Sequence, residues 1–299
     1  MKCAAPGKLL LSGAYAVLEG APAIAVAVNR FAIAHDGDGE ASREAREAMT
    51  DAPAVDVRAL AHDGKKLGLG SSAAALVASI ALRAAESEED IESHDVRARI
   101  FATARGAHAR AQSGGSGVDV AVSTFGGVLR YTLRGARFER AEHEPVALPA
   151  GVRLAAFFAG TSARTSDLRA KVDALKARDA RVYAARMGAI ADAARGASDA
   201  IHAADPRAFV ESIALAAPAL GALGADADAP IVTPAQLALS DAAREERAAF
   251  VPSGAGGGDA FVFVGIDLPS SSFLKRAGAI GMTPLELAIE PRGVRVITD

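Results

Sequence analysis

The chain has 299 residues, enough for two packed halves rather than a single core, and 51% of them are apolar. Lysines and arginines number 33 against 36 aspartates and glutamates, so the net charge of −3 gives no overall pull toward nucleic acid or an anionic membrane. The single cysteine, Cys3, excludes an intrachain disulfide and a cysteine metal cluster, and it fits a reducing, cytoplasmic setting.

The opening MKCAAPGKLLLSGAYAVLEG sets a positive residue before an apolar run. Gly7, Lys8 and Gly13 interrupt that run and no small-residue cleavage site follows, so we do not read a secretory leader. Ala23 to Ile33 reads as a buried strand. Asp36 to Asp56 is polar and charged and reads as a surface excursion. Ala73 to Ala85 and Asp95 to Ala111 read as helices. The turn Leu148-Pro149-Ala150-Gly151 marks a boundary near residue 150, ahead of a strand over Val152 to Phe158. Arg181 to Ala204 reads as a helix that ends at Asp205-Pro206, where Asp205 suits a cap and Pro206 the first turn of the next. Pro234 to Ala249 reads as a helix and Ala260 to Ile266 as a strand. No run approaches 18 uninterrupted apolar residues, so no membrane span is expected. Strands and helices alternate without a strict βαβ rhythm, which predicts an α+β fold with domains over 1–150 and 151–299.

Three glycine-rich stretches carry the chemistry. Gly68-Leu69-Gly70-Ser71-Ser72-Ala73-Ala74 opens a predicted helix. Glycines let backbone N–H groups converge on a phosphate, and the helix start adds orphan donors and the positive end of its dipole. Ser71 and Ser72 offer hydroxyls to a phosphate oxygen or to magnesium. An ordinary loop with a serine cap is the competing reading. The stretch is neither a Walker A motif nor a dinucleotide fingerprint. Lys65 and Lys66 lie just upstream and suit a solvated surface as well as a phosphate.

Pro252-Ser253-Gly254-Ala255-Gly256-Gly257-Gly258-Asp259 precedes the strand Ala260 to Ile266. So many residues without side chains point to a close approach of backbone to backbone or to ligand, since each glycine costs entropy on folding. Gly114-Gly115-Ser116-Gly117-Val118-Asp119 leads into an apolar segment. Asp119 is a candidate base with Lys8 as its partner, although alone it reads as a turn or cap residue.

In content and order these stations resemble the GHMP kinase superfamily. APGKLLLSGAYAVLEGAPAIAVAV resembles its N-terminal motif, GLGSSAA its phosphate loop and PSGAGGGD its C-terminal glycine motif. Ala107-His108-Ala109-Arg110-Ala111-Gln112 with GGSGVDVA, and Gly160 to Leu168, are similar to the superfamily's phosphomevalonate kinase branch. Mevalonate kinases usually carry a metal-binding glutamate where His108 falls. Ala14 stands where the motif often has glutamate, and Val251 where a lysine often precedes PSGAGGGD.

The resemblance implies an N-terminal ribosomal-protein-S5-like α+β domain with a left-handed crossover and a ferredoxin-like C-terminal domain. It implies ATP held by Gly68, Leu69, Gly70, Ser71, Ser72 and Ala73, with Mg2+ on Ser72. Asp119 orients the acceptor and Lys8 stabilises the transferring phosphoryl group. Tyr15, Ser116, Gly117, Arg164, Ser253, Gly254, Ala255 and Gly256 are implied acceptor contacts. The implied reaction takes mevalonate 5-phosphate to its diphosphate, in a monomer or homodimer without nucleic-acid or membrane partners. Alternatives are a mevalonate kinase or another small-molecule kinase of the superfamily, a decarboxylase of it, or a catalytically silent binding module.

Overall fold

A computed structural model describes residues 1–62, 64–112, 114–135, 139–161 and 165–298. The chain divides into two compact units, one made of Met1–Leu9, Ala25–Leu129 and Ala288–Asp299, the other of Leu10–Ile24 and Arg130–Leu287. The division is interleaved where the sequence led us to expect one cut near residue 150. The chain's last twelve residues return to the first unit because the strand Arg295–Ile297 pairs antiparallel with Lys2–Ser12, Lys2 opposite Ile297 and Ala4 opposite Arg295.

In the first unit the strands Arg295–Ile297, Lys2–Ser12 and Ala23–His35 lie side by side, and the start of Val128–Arg134 follows. Three helices, Ser71–Glu86, His94–Ala111 and Val118–Phe125, pack on one another. The surface excursion expected over Asp36 to Asp56 holds more structure than its composition announces. Ser42 caps a helix over Arg43–Ala48 by accepting the Ala45 N–H, and Ala45 is fully buried. The strand Ala54–Asp56 pairs with Ala23–His35, Ile33 opposite Asp56. Both pieces are too short for a periodic signal.

In the second unit, taken in chain order, Arg153–Phe158, Ala249–Pro252, Ala260–Gly265 and Thr283–Leu285 form an antiparallel sheet in the spatial order fourth, first, third, second. Helices lie between the first and second strands, and Ser271–Ala279 lies between the third and fourth. This is the ferredoxin-like arrangement. Its aromatic core joins Phe157, Phe250, Phe261, Phe263 and Phe273. Asp205 caps the helix Pro206–Ala214 with Pro206 in its first turn, as its residue types predict. The predicted helix from Pro234 ends at Glu245, and Ala249 already belongs to the next strand. The 21-residue span Pro206–Asp226 contains an 18-residue window with a mean hydropathy of 1.6, enough in length and composition to cross a membrane. It is broken at Leu215 into two helices, and Phe209, Ile213, Leu220 and Leu223 are buried in the fold.

Candidate active site

The first unit brings Lys8, the glycine turn at 68–70 and Asp119 to one place. Gly7 lets the strand run against the turn, since a Cβ there would lie 2.8 Å from the Leu69 carbonyl oxygen. Lys8 then donates its backbone N–H to that same oxygen at 2.9 Å, and its Nζ donates to the Gly68 carbonyl at 3.1 Å. Gly70 sits in the left-handed region at φ 75° and starts the helix Ser71–Glu86 with no side-chain cap. The first-turn N–H groups of Ser71, Ser72 and Ala73 precede the first helical bond, from Ala74 N–H to the Gly70 carbonyl. A Cβ on Gly70 would meet Lys8 Cγ at 3.1 Å and Asp119 Cβ at 3.5 Å, so both side chains flank one bare stretch of backbone.

Asp119 lies in the first turn of Val118–Phe125, which begins at Gly117 with φ 82°. Ser116 accepts the Val118 N–H on its hydroxyl oxygen at 3.3 Å, a local turn contact just before the helix. Asp119 Oδ1 accepts the Val120 N–H at 3.0 Å, and Oδ2 lies 3.9 Å from Nε2 of the buried His108. Ser123, fully buried, donates its hydroxyl to the Pro6 carbonyl at 2.8 Å. That bond ties the helix carrying Asp119 to the strand carrying Lys8. Nothing in the sequence named Ser123 as important. The available signal was a hydroxyl directly after the apolar run Val120–Val122, which must find a partner when buried.

The second unit holds the other glycine station. Its loop is fastened at several points. Ser253 Oγ accepts the Leu10 N–H at 2.8 Å, and Tyr15 donates its hydroxyl to the Ala255 carbonyl at 2.7 Å. Gly257 N–H reaches the Ile231 carbonyl at 2.9 Å, and Asp259 N–H reaches the Thr161 carbonyl at 2.8 Å. A Cβ on Gly256 would come within 2.1 Å of the Ile231 carbonyl oxygen, so this glycine is required by the approach of backbone to backbone. Tyr15 itself has φ 60°, rare for a residue with a side chain, and burial pushes its phenol up. Gly254 and Ala255 belong to the same loop. Arg164 lies outside the described residues.

Ala14 and Val251 line one small apolar cavity of the second unit, with Leu10, Leu11, Ile190 and Leu220. The two positions that lack the charges of the family motif are therefore neighbours of the same space. A single buried charge would stand there unpaired, so the two apolar residues suit each other.

No protein-family model matches the chain. The phosphomevalonate kinase of Streptomyces sp. (strain CL190) is 28% identical over 368 aligned positions, covering 97% of this chain and 97% of that one. The alignment is longer than the 299 residues, so the relative carries insertions against this sequence. The Lin0012 protein from Listeria innocua superposes with a TM-score of 0.83 at 23% identity, over 100% of both chains. A Streptococcus pneumoniae phosphomevalonate kinase in complex with phosphomevalonate and AMPPNP superposes with a TM-score of 0.77 at 18% identity, over 97% of this chain and 99% of that one. These likenesses establish a shared α+β fold over the whole chain.

Proposed function

We propose that this chain, which has the GHMP kinase fold throughout its length, is an ATP-dependent kinase of that superfamily that converts mevalonate 5-phosphate to mevalonate 5-diphosphate. The observation that carries the reading is the convergence of Lys8 and Asp119 on the bare backbone of Gly70, at the start of an uncapped helix. The Streptomyces relative and the Streptococcus neighbour, one by name and one by the ligands in its complex, point to the same acceptor and to ATP.

The residues fit a nucleotide phosphate. The turn Gly68–Gly70 has positive φ at both glycines, and the first-turn donors of Ser71–Ala73 carry the helix's positive end. Among the described residues no cluster of three or more histidines, cysteines, aspartates and glutamates is placed to hold a metal. Magnesium would therefore rely on phosphate oxygens, water and the Ser72 hydroxyl, a coordination this ion accepts. Bound there, it would neutralise phosphate charge.

Lys8 supplies a fixed positive charge beside the transferring phosphoryl group. The acceptor phosphate oxygen of mevalonate 5-phosphate is already ionised, so Asp119 acts on it by position rather than by removing a proton. With mevalonate as acceptor, the same carboxylate would take the hydroxyl proton. Cys3 is buried and its thiol is pushed up to about 12, chiefly by that burial, so it is not poised as a nucleophile.

The test is ATP consumption with magnesium over a panel led by mevalonate 5-phosphate and mevalonate, with the product weighed. ADP release and a diphosphate product with mevalonate 5-phosphate supports the proposal. Turnover of mevalonate alone replaces it with the mevalonate kinase reading. ATP binding with silence on every acceptor favours a binding module.

A further inference from the structure

We propose that His108 is a positioning residue whose Nε2–H holds the Asp119 carboxylate in place and offsets its negative charge when an anionic acceptor enters. The inference rests on the reading of Asp119 as the carboxylate that orients the acceptor.

His108 is 5% exposed, and its Nε2 has no hydrogen-bond partner among the described residues. Buried polar atoms are almost always satisfied, so this nitrogen requires an explanation. It faces Asp119 Oδ2 at 3.9 Å, beyond hydrogen-bond length but within reach of a small shift or one bridging water. Catalytic contacts are commonly long in free enzymes and shorten when substrate binds.

The surroundings hold the pair in register. Arg105, one turn before His108 on the helix His94–Ala111, packs its stem under Gly117, with Cγ 2.9 Å from where a Cβ would be. The helix bearing His108 thus seats the start of the helix bearing Asp119. Asp119 Oδ1 is already engaged by the Val120 N–H, while its side chain keeps 28% exposure. A donor on Oδ2 stops the carboxylate rotating about its last bond and leaves its remaining lone pairs directed outward.

Charge explains why a donor is useful here. A carboxylate repels an incoming phosphate, and a hydrogen bond from imidazole spreads part of that negative charge without removing the group. His108 therefore favours an acceptor that is already anionic and needs no strong base.

The experiment compares His108→Leu with His108→Gln, whose amide nitrogen reaches the place of Nε2. In wild type that turns over mevalonate 5-phosphate, His108→Leu is expected to lower kcat by roughly ten- to a hundredfold, with KM for ATP changed less than about twofold. His108→Gln should recover to within about fivefold of wild type. In an Asp119→Asn background the leucine substitution should cost less than about threefold, because its effect passes through Asp119. Equal losses in both histidine variants, or a full extra loss in the Asp119→Asn background, overturn the proposal. If wild type is silent on the acceptor panel, the 15N shifts of the His108 ring read the contact without turnover. A change on Asp119→Asn larger than that of His202 supports it, and an unchanged His108 ring overturns it.

Discussion

Ser123 donates to the Pro6 carbonyl across 117 residues of sequence, and this buried bond joins the segment of Lys8 to the helix of Asp119. Ser123→Ala keeps the helix propensity high but leaves the Pro6 oxygen without its hydroxyl donor. We expect a loss of about 1–3 kcal/mol, the cost of orphaning a buried acceptor. In urea melts the midpoint should fall while the slope stays unchanged. A variant with wild-type stability would show that another donor reaches Pro6.

Lys8→Met and Asp119→Asn should each lower kcat by at least about a hundredfold, since each removes a charge that the proposed mechanism directs at the reacting groups. Lys8 Nζ also donates to the Gly68 carbonyl, so the lysine substitution should additionally loosen the phosphate turn and raise KM for ATP. Asp119→Asn has no comparable link to that turn and should leave KM for ATP nearly unchanged. Circular dichroism checks that both fold. Full activity in either variant would remove the mechanism.

Tyr15→Phe separates two roles for one hydroxyl. The family resemblance implies Tyr15 as an acceptor contact, whereas in the fold its hydroxyl donates to the Ala255 carbonyl at 2.7 Å. Loss of that bond should cost about 0.5–1.5 kcal/mol of stability. The backbone at Tyr15, at φ 60°, is already strained by about 1–3 kcal/mol and depends on such fastenings. If the role is fastening, KM for the acceptor should rise less than about threefold, and a direct contact should raise it more than tenfold. Thermal melts and steady-state kinetics on the two substrates decide between them.

The glycine stations were legible because their chemistry is local. Gly68 and Gly70 need positive φ, Gly256 needs a bare Cα, and neighbouring serines advertise a helix start. The α+β class was legible from the alternation of strands and helices without a strict βαβ rhythm. The tertiary fastenings were not. Tyr15 meets Ala255 across 240 residues and Ser123 meets Pro6 across 117, and no periodicity encodes such distances. The interleaved units follow the same logic, because the pairing of Lys2–Ser12 with Arg295–Ile297 joins opposite ends of the chain. His108 was visible only as an unusual residue in its motif; its relation to Asp119 needed the packing of two helices.

Ala14 and Val251 offer the sharpest test of packing in the second unit, because both line one cavity and both are buried. Ala14→Glu alone would bury a carboxylate with no cation, and Val251→Lys alone would bury an ammonium with no anion. Breaking or half-building a buried pair costs about 3–5 kcal/mol, so each single variant should be severely destabilised. The double variant places opposite charges around the same space. It should recover about 1–3 kcal/mol relative to the sum of the singles, the coupling expected of neighbours that share one cavity. Strict additivity in denaturant melts would mean the two side chains turn away from each other. A double variant as stable as wild type would mean that the apolar pair and an ion pair are interchangeable solutions for this cavity, so the absence of the motif's charges costs the fold nothing.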